Sequence, residues 1–457
     1  MIILPTETVA REWNGRILLA VMLAQKNETT IIGNNRAIYR TLHNFPKNVF
    51  VSHTIVPSKR RLFRIIRTLG MKLAAWDEEG LVWASPEFYN WRRLDAENWK
   101  MLHRFFCWGE AQAGVIRDTF PNAAEKLRIT GNPRQDFYTR RYQALHEETI
   151  RAIHTEYGDF ILVNSNFGSL HSPRLPFTGI EKMHEHIWQL ARVSGHKEEY
   201  IAFRQRVFLS LCNLVRRLSE VFPQKTILIR PHPSENPAAW RELAAPLPNV
   251  VVRYDHELIP WLLAADAVIH NGCTTAVETA MLGRPAIEYR AVELPEWESE
   301  VVSRASIAAR SPEEAIALLR DKQTLQARMQ GVEETLQHYI AHLNEGLACE
   351  RIADELVELA RAPAPEVPAF PRWRARWQSR LRAVEKRVVG RLNPHSSASP
   401  AYIDQKFPPM TTEQVRATTQ RLCAMADLPV PRIEQLHDRI WRISPAQEVD
   451  TGAGGQA

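Results

Sequence analysis

Two short runs in this chain gather the residue types that hold phosphate: Arg230-Pro231-His232-Pro233-Ser234-Glu235 and Asn271-Gly272-Cys273-Thr274-Thr275-Ala276-Val277-Glu278. Each follows an apolar run that reads as a buried strand, and the second opens a helix. Those are the places where an α/β protein collects a phosphorylated ligand. Arg230 offers a permanent, forked cation and His232 a ring N–H, while Pro231 and Pro233 stop the strand and shape the turn. Ser234 is a candidate helix start, and Glu235 a nucleotide contact or a first-turn acid. Gly272 permits close approach of backbone, Thr274 and Thr275 add hydroxyls, and the unpaired amides of a helix start receive negative charge. One exposed helix-end interaction contributes only about 0.3–1 kcal/mol, so several donors must act together to hold a nucleotide. Glu278 lies one turn deeper than Thr274, where it can accept from a ribose or orient the loop. Asp255 and His256 precede a further helix and are candidate base or ribose contacts, with helix capping as the alternative for Asp255. Against these stand plainer structural roles: a proline-shaped turn for the first run, a simple N-cap for the second.

A second group of residues sits earlier. Trp76-Asp77-Glu78-Glu79-Gly80 places three carboxylates directly after an apolar strand. One could take a proton from an acceptor hydroxyl or act as a nucleophile, its ionisation tuned by its like-charged neighbours. The alternative is an acidic surface turn. Glu7 and Arg11, beside Glu12 at the first strand-to-helix turn, are candidate acceptor contacts. So are Asn132 and Arg134 in Gly131-Asn132-Pro133-Arg134-Gln135-Asp136, where hinge and surface roles are equally open. The chain has no Gly-x-x-x-x-Gly-Lys-Ser/Thr loop, and Gly168 alone makes no dinucleotide fingerprint, which argues against kinase and dehydrogenase readings. Histidines at zinc-site spacing and a calcium-loop pattern are also missing, so no metal and no cofactor is expected.

The elements that must carry these residues alternate strand and helix from the start: a strand at Met1 to Leu4, a helix at Val9 to Lys26 and a strand at Thr30 to Ile32. Further strands are expected at Val49 to Ser52, Met71 to Ala75, Arg104 to Trp108 and Leu127 to Thr130. A second α/β run starts at Asp159 and continues through a long helix, Glu198 to Val221. Its later strands are expected at Thr226 to Arg230, Val250 to Arg253, Ala267 to His270 and Ala286 to Tyr289. An insertion followed by helix is expected over Pro173 to Ser194. The expected organisation is a Rossmann-like acceptor-side domain over 1–155 and a Rossmann-like nucleotide-donor domain over 156–361. A Pro-rich linker follows over 362–371, then a basic amphipathic helix with a helical or disordered tail over 372–457.

In that helix Trp373, Trp377, Leu381, Val384 and Val388 recur at helical spacing among Arg372, Arg374, Arg376, Arg380, Arg382, Lys386, Arg387 and Arg391. Two readings are open: a helix at an anionic bilayer interface, or one packed on the protein body with a solvated basic face. With 457 residues, 45% hydrophobic and 24% charged, the chain can bury large cores, and its net charge of +6 selects no partner. Five scattered cysteines, Cys107, Cys212, Cys273, Cys349 and Cys423, read as reduced thiols of a cytoplasmic protein. The first residues show no cleavable leader, and no apolar run reaches the length of a membrane span.

Taken in order, Trp76-Asp77-Glu78-Glu79-Gly80, Gly131-Asn132-Pro133-Arg134-Gln135-Asp136, Arg230-Pro231-His232-Pro233 and Asn271-Gly272-Cys273-Thr274-Thr275-Ala276-Val277-Glu278 resemble bacterial surface-polysaccharide glycosyltransferases of the GT-B type, especially those using CMP-Kdo. The resemblance covers roughly residues 1 to 350. CDP-glycerol polymer transferases and bacterial sialyltransferases share its His-Pro and Ser/Thr-rich parts. It implies two doubly wound domains facing a cleft, with His232 and Pro233 as the nucleotide-phosphate motif and Thr274 and Thr275 as the hydroxyl-rich phosphate site. It further implies an acidic catalytic residue in the first domain, Glu79 ahead of Asp77 and Glu78. The chain departs from the pattern at Asn271-Gly272-Cys273, where such enzymes are richer in serine. The implied partners are a nucleotide-sugar donor and a glycan or lipid-linked glycan acceptor, at the inner face of a bacterial inner membrane, with no specific nucleic acid. A CDP-polyol phosphotransferase attacking phosphorus, and a noncatalytic assembly protein binding nucleotide-sugar or glycan, are the competing classes.

Overall fold

Runs such as Ile2-Ile3-Leu4-Pro5-Thr6 and Phe160-Ile161-Leu162-Val163-Asn164 are buried at every residue. A strand with both faces covered cannot alternate apolar and polar side chains, and it belongs in the middle of a parallel sheet flanked by helices. The computed structural model bears this out in two separate sheets, describing residues 1–45, 48–168, 170, 198–253, 258–293, 298–329, 331–393, 396 and 398–446. The expected segment Pro173 to Ser194, and Asp255 and His256, lie outside the described residues.

The first sheet contains β1 (Ile2–Thr6), β2 (Thr30–Asn34), β3 (Val49–Ser52), β4 (Lys72–Trp76), β5 (Arg104–Cys107) and β6 (Leu127–Ile129), all parallel, in the spatial order β2-β1-β3-β4-β5-β6. The second contains β7 (Phe160–Asn164), β8 (Thr226–Arg230), β9 (Val250–Val252), β10 (Ala267–His270), β11 (Ala286–Tyr289) and β12 (Ile307–Ala309), again parallel, in the order β12-β11-β10-β7-β8-β9. In each sheet the chain moves outward on both sides of its first strand. The crevices that result lie beyond the carboxyl ends of β1 and β3, and of β7 and β10. Helix Glu198–Val221 covers the second sheet with Phe208, Leu211, Leu214, Val215 and Leu218.

The chain divides into one unit of Met1–Leu81, Tyr89–Phe137 and Asn344–Ala457, and another of Val82–Phe88 and Tyr138–Leu343. The return of the chain to the first unit at Asn344 differs from the boundary at 361 expected from sequence: helix Ala348–Arg361 buries Ile352, Ala353, Leu356 and Val357 and packs on helix Val9–Gln25 of the first unit. Helix Ala348–Arg361 is held at both ends by side chains of the first unit. At its start the buried Asp136 carboxylate accepts the amides of Ala348 (2.7 Å) and Cys349 (2.9 Å). At its end Lys72 Nζ donates to the carbonyls of Leu359 (2.5 Å), Ala360 (3.2 Å) and Ala362. A carboxylate at a helix N-terminus and an ammonium at its C-terminus both follow the sign of the helix dipole. Arg104 and Arg128 add ion pairs to Glu355 at 3.2 and 2.9 Å.

The tail also departs from expectation. Instead of a wholly helical or disordered end, Arg432–His437 (β13) and Ile440–Ser444 (β14) form a hairpin that extends the first sheet, β14 running antiparallel to β2. Gly33 makes the junction: its φ is +146°, and a Cβ there would stand 2.1 Å from the carbonyl oxygen of Arg439. The fully buried Trp441 packs edge-on against Trp13, with ring centroids 5.7 Å apart. The expected linker is shorter than 362–371, since a helix already starts at Ala369 and carries Pro371 in its first turn, where proline is tolerated.

Asp136→Ala strips two buried amides of their acceptor. We expect a loss of about 1–3 kcal/mol in stability by urea denaturation; an unchanged midpoint contradicts the capping account.

Candidate functional site

In the second unit the two phosphate-type runs follow β8 and β10, the strands on either side of β7. The loop after β7, Ser165-Asn166-Phe167-Gly168, is stitched to both. Toward β10, the amide of Asn166 donates to Asn271 Oδ1 at 3.0 Å and Asn166 Nδ2 to the Gly272 carbonyl at 3.4 Å. Toward β8, the carboxylate of Glu235 is the hub. Fully buried, it accepts from Ser165 Oγ (2.9 and 3.0 Å), the amide of Phe167 (2.7 Å), the amide of His232 (3.1 Å) and Trp240 Nε1 (2.9 Å). Burial pushes its carboxyl above the usual range against the pull of these donors. Glu235 is thus committed to holding the loops, and the helix expected near Ser234 starts only at Ala238. Gly168 allows the contact, because a Cβ on it would stand 2.0 Å from Ser234 Oγ.

This scaffold sets the chemistry of the exposed tip. His232 Nδ1 accepts the Ser234 amide at 3.2 Å and lies 2.7 Å from Ser234 Oγ. An amide can only donate, so the ring proton sits on Nε2 and His232 presents an N–H donor. Pro233 is exposed beside it, while Arg230 is buried at the end of β8. In the other run Gly272 has a φ of +77°, and its amide donates to His270 Nδ1 at 3.2 Å. Burial pushes His270 down to about 3, so the ring is neutral and Nε2–H donates to Ser306 Oγ at 3.0 Å. The Thr274 hydroxyl belongs to an exposed residue, whereas Thr275 is buried with Oγ1 3.3 Å from Cys273 Sγ. Glu278, on the inner side of helix Thr275–Met281, accepts from Tyr138 Oη at 2.7 Å. Arg230, His232 and Ser234 thus end one loop and Asn271, Gly272 and Thr274 the other, with the β7 loop bonded to both.

In the first unit the three consecutive carboxylates have three different fates. Glu78 is buried and ion-paired with the equally buried Arg16 at 2.6 Å, while Trp76 Nε1 donates to the same oxygen at 2.7 Å. Arg16 stacks on Trp76 at 4.4 Å and reaches Glu12 at 3.4 Å. Burial works against ionisation of Glu78, but Arg16, with Arg134 and Arg11 behind it, holds the carboxyl at about 2. Asp77 is buried in a forked contact with Arg93, whose Nε donates at 2.9 Å. Only Glu79 is open: its side chain is 58% exposed, with Arg93 Nη1 at 2.9 Å and Arg11 Nη1 at 3.7 Å. Arg134 Nη1 donates to the Glu78 carbonyl at 3.3 Å and its guanidinium lies over Trp108. Asn132 is buried, its Oδ1 accepting the Arg134 amide at 3.0 Å.

Two groups not singled out from the sequence join these sites. His53, directly after β3, donates from Nε2 to Glu7 after β1 at 3.0 Å, so the pair occupies the crevice of the first sheet. That hydrogen bond holds Glu7 well below the usual carboxylate range, and burial lowers His53. The strand-end position was the available signal for His53. In the second unit Glu288 on β11 pairs in register with His270 and is 3% exposed. Its Oε2 lacks a hydrogen bond among the described residues, Arg290 Nε standing 3.9 Å away. Burial pushes its carboxyl up to about 7.

The raised value means the folded chain holds this proton more tightly than the unfolded one. The stability it supports is present below pH 4.5, the ordinary value, and is lost as pH rises through about 7. Glu288→Gln cannot ionise, so its melting temperature should gain on that of the native chain between pH 5 and pH 8; a constant difference contradicts the assignment.

No family model matches the chain, and no curated protein matches it in sequence. Solved structures similar to it include UDP-GlcNAc 2-epimerase from Neisseria meningitidis bound to UDP-GlcNAc, 13% identical with a TM-score of 0.49, over 78% of this chain and 99% of that one. A UDP-GlcNAc 2-epimerase from Methanocaldococcus jannaschii, in complex with UDP-GlcNAc and UDP, is 13% identical with a TM-score of 0.47, over 78% and 99%. The wall teichoic acid polymerase TagF, as its H548A variant, is 10% identical with a TM-score of 0.41, over 69% and 73%. Likeness of this degree assigns neither ligand nor activity.

Proposed function

We propose that the chain is a glycosyltransferase that draws on a nucleotide-activated sugar, with a CMP-sugar such as CMP-Kdo as the first donor to test. Its product would be a bacterial surface polysaccharide or lipopolysaccharide, built on a glycan or lipid-linked glycan at the inner face of the membrane. The observation that carries this reading is the meeting of the two phosphate-type loops around β7, bonded through Asn166, Asn271 and Glu235. Donors fixed before the ligand arrives stabilise developing charge without reorganising at the moment of reaction.

In this reading the second unit holds the donor. Arg230, the Nε2–H of His232 and the Thr274 hydroxyl face the phosphate, and Glu278 lies one turn below for the ribose or the loop. The first unit holds the acceptor, near Glu7, Arg11, Asn132 and Arg134, and supplies the base. Of the three carboxylates Glu79 fits that task, since Asp77 and Glu78 are buried against Arg93 and Arg16 whereas Glu79, which also meets Arg93, is open to solvent. The acceptor hydroxyl gives its proton to Glu79 and its oxygen attacks the anomeric carbon. The bond from that carbon to the phosphate oxygen breaks, and the nucleotide leaves with the electron pair.

The test is turnover with CMP-Kdo and a lipid-linked glycan, followed by nucleotide release and by mass of the product. Glu79→Gln should lower turnover at least about hundredfold and leave nucleotide affinity within about twofold. Undiminished turnover in that variant contradicts the base assignment. A product gaining a polyol phosphate instead of a sugar would overturn the sugar-transfer reading.

A further inference from the structure

Helix Ala369–Leu392 is mounted inside out. An amphipathic helix on a protein body ordinarily turns its apolar stripe inward, because burial of apolar surface drives the packing. Here the face turned to the body is made of Ala375, Ser379 and Gly390, all buried, against helices Asn35–Thr41 and Arg60–Thr68. At Gly390 a side chain is excluded by the segment that follows the helix, since a Cβ there would stand 2.2 Å from the Ala398 carbonyl oxygen. The large apolar residues point the other way: Phe370 is 70% exposed, Trp373 57%, Leu381 61% and Leu392 79%, with Trp377, Val384 and Val388 between them. At about 100° per residue these seven fall within roughly a 100° arc along a helix about 36 Å long. A continuous exposed stripe of this kind marks an interaction surface.

The charges beside the stripe select its partner. The helix carries eight arginines and lysines and one carboxylate, Glu385, which is already paired with Arg61 at 2.8 Å. Arg376, Arg380, Arg387 and Arg391 run along one border of the stripe and Arg374 along the other. A second copy meeting this face would bring like-charged borders together, which opposes association. A surface that offers an apolar layer beneath a plane of anions satisfies both features. Tryptophan suits that boundary, and Trp373 lies between Phe370 and Trp377 with ring centroids 6.1 Å from each.

We propose that helix Ala369–Leu392 lies flat on a bilayer containing anionic lipid, its apolar stripe at the acyl boundary and its bordering arginines on headgroup phosphates. Among the described residues no helix is long and apolar enough to cross a membrane, so this contact is superficial. The inference rests on the transferase reading only for what docking would bring within reach, a lipid-linked acceptor.

The test is flotation of the full chain with vesicles of phosphatidylcholine alone or mixed with phosphatidylglycerol, with CMP affinity measured in parallel for every variant. The native chain should float with the mixed vesicles, less so as salt rises, and not with phosphatidylcholine alone. The pair Trp373→Glu and Leu381→Glu, and separately the pair Arg376→Glu and Arg380→Glu, should each cut the bound fraction at least about tenfold. Because these side chains are exposed, the melting temperature should hold, and CMP affinity should stay as in the native chain whatever its value. Failure of the native chain to float with anionic vesicles, or flotation indifferent to both pairs, overturns the proposal. So does a dimer that Trp373→Glu and Leu381→Glu dissociate while vesicles capture nothing, for then a second copy covers the stripe. Absence of CMP binding with flotation intact would sink the transferase reading alone.

Discussion

The arrangement of the candidate site hangs on one buried carboxylate. Glu235 accepts from Ser165, Phe167, His232 and Trp240, and thereby fixes two loops that a parallel sheet leaves unpaired at its carboxyl edge. Buried without those donors, a carboxylate would be strongly disfavoured; with them, it converts flexible turns into a rigid frame. The orientation of the His232 ring, and through Asn166 the placing of Asn271 and Gly272, are downstream of it. The set of donors at the tip depends on a residue that itself faces inward.

The first unit uses the same logic with opposite charges in balance. Four acidic groups, Glu12, Asp77, Glu78 and Glu79, stand among Arg11, Arg16 and Arg93, so a dense cluster of charge can sit at a sheet edge without mutual repulsion. Pairing also sorts them. A buried ion pair such as Arg16 with Glu78 is costly to break and poorly suited to give up or receive a proton. The same turn leaves Glu79 in contact with solvent, which is what a group exchanging protons with a bound molecule requires.

Much of this was legible in the sequence, for a physical reason: parallel strands covered on both faces are written as unbroken apolar runs, and Ile2 to Leu4, Thr226 to Arg230 and Ala267 to His270 needed no long-range information. The polar residues that follow such runs fall at the carboxyl edge, which is why the positions of both runs, after β8 and after β10, could be read from sequence. What stayed hidden depends on partners far along the chain. Nothing local says that Glu78 turns toward Arg16 while Glu79 does not, or that Asp136 caps a helix beginning at Ala348 whose apolar face packs on helix Val9–Gln25 of the first unit. The hairpin β13–β14 was missed because its partner strand β2 lies some four hundred residues earlier. A helical wheel reveals the stripe of Trp373 and Leu381 but not the side it faces; in the fold it is the opposite face, with Ala375, Ser379 and Gly390, that is buried.

The central claim is that the loops after β7, β8 and β10 form a nucleotide-phosphate site. The most direct test is calorimetric titration of the chain with CMP, CDP, UDP and GDP, beside Arg230→Ala, His232→Ala and Thr274→Ala. The account predicts that a nucleotide, CMP foremost, binds the native chain and loses at least about tenfold in affinity in each variant while the fold holds. Binding of none of the four, or binding indifferent to all three substitutions, would contradict it.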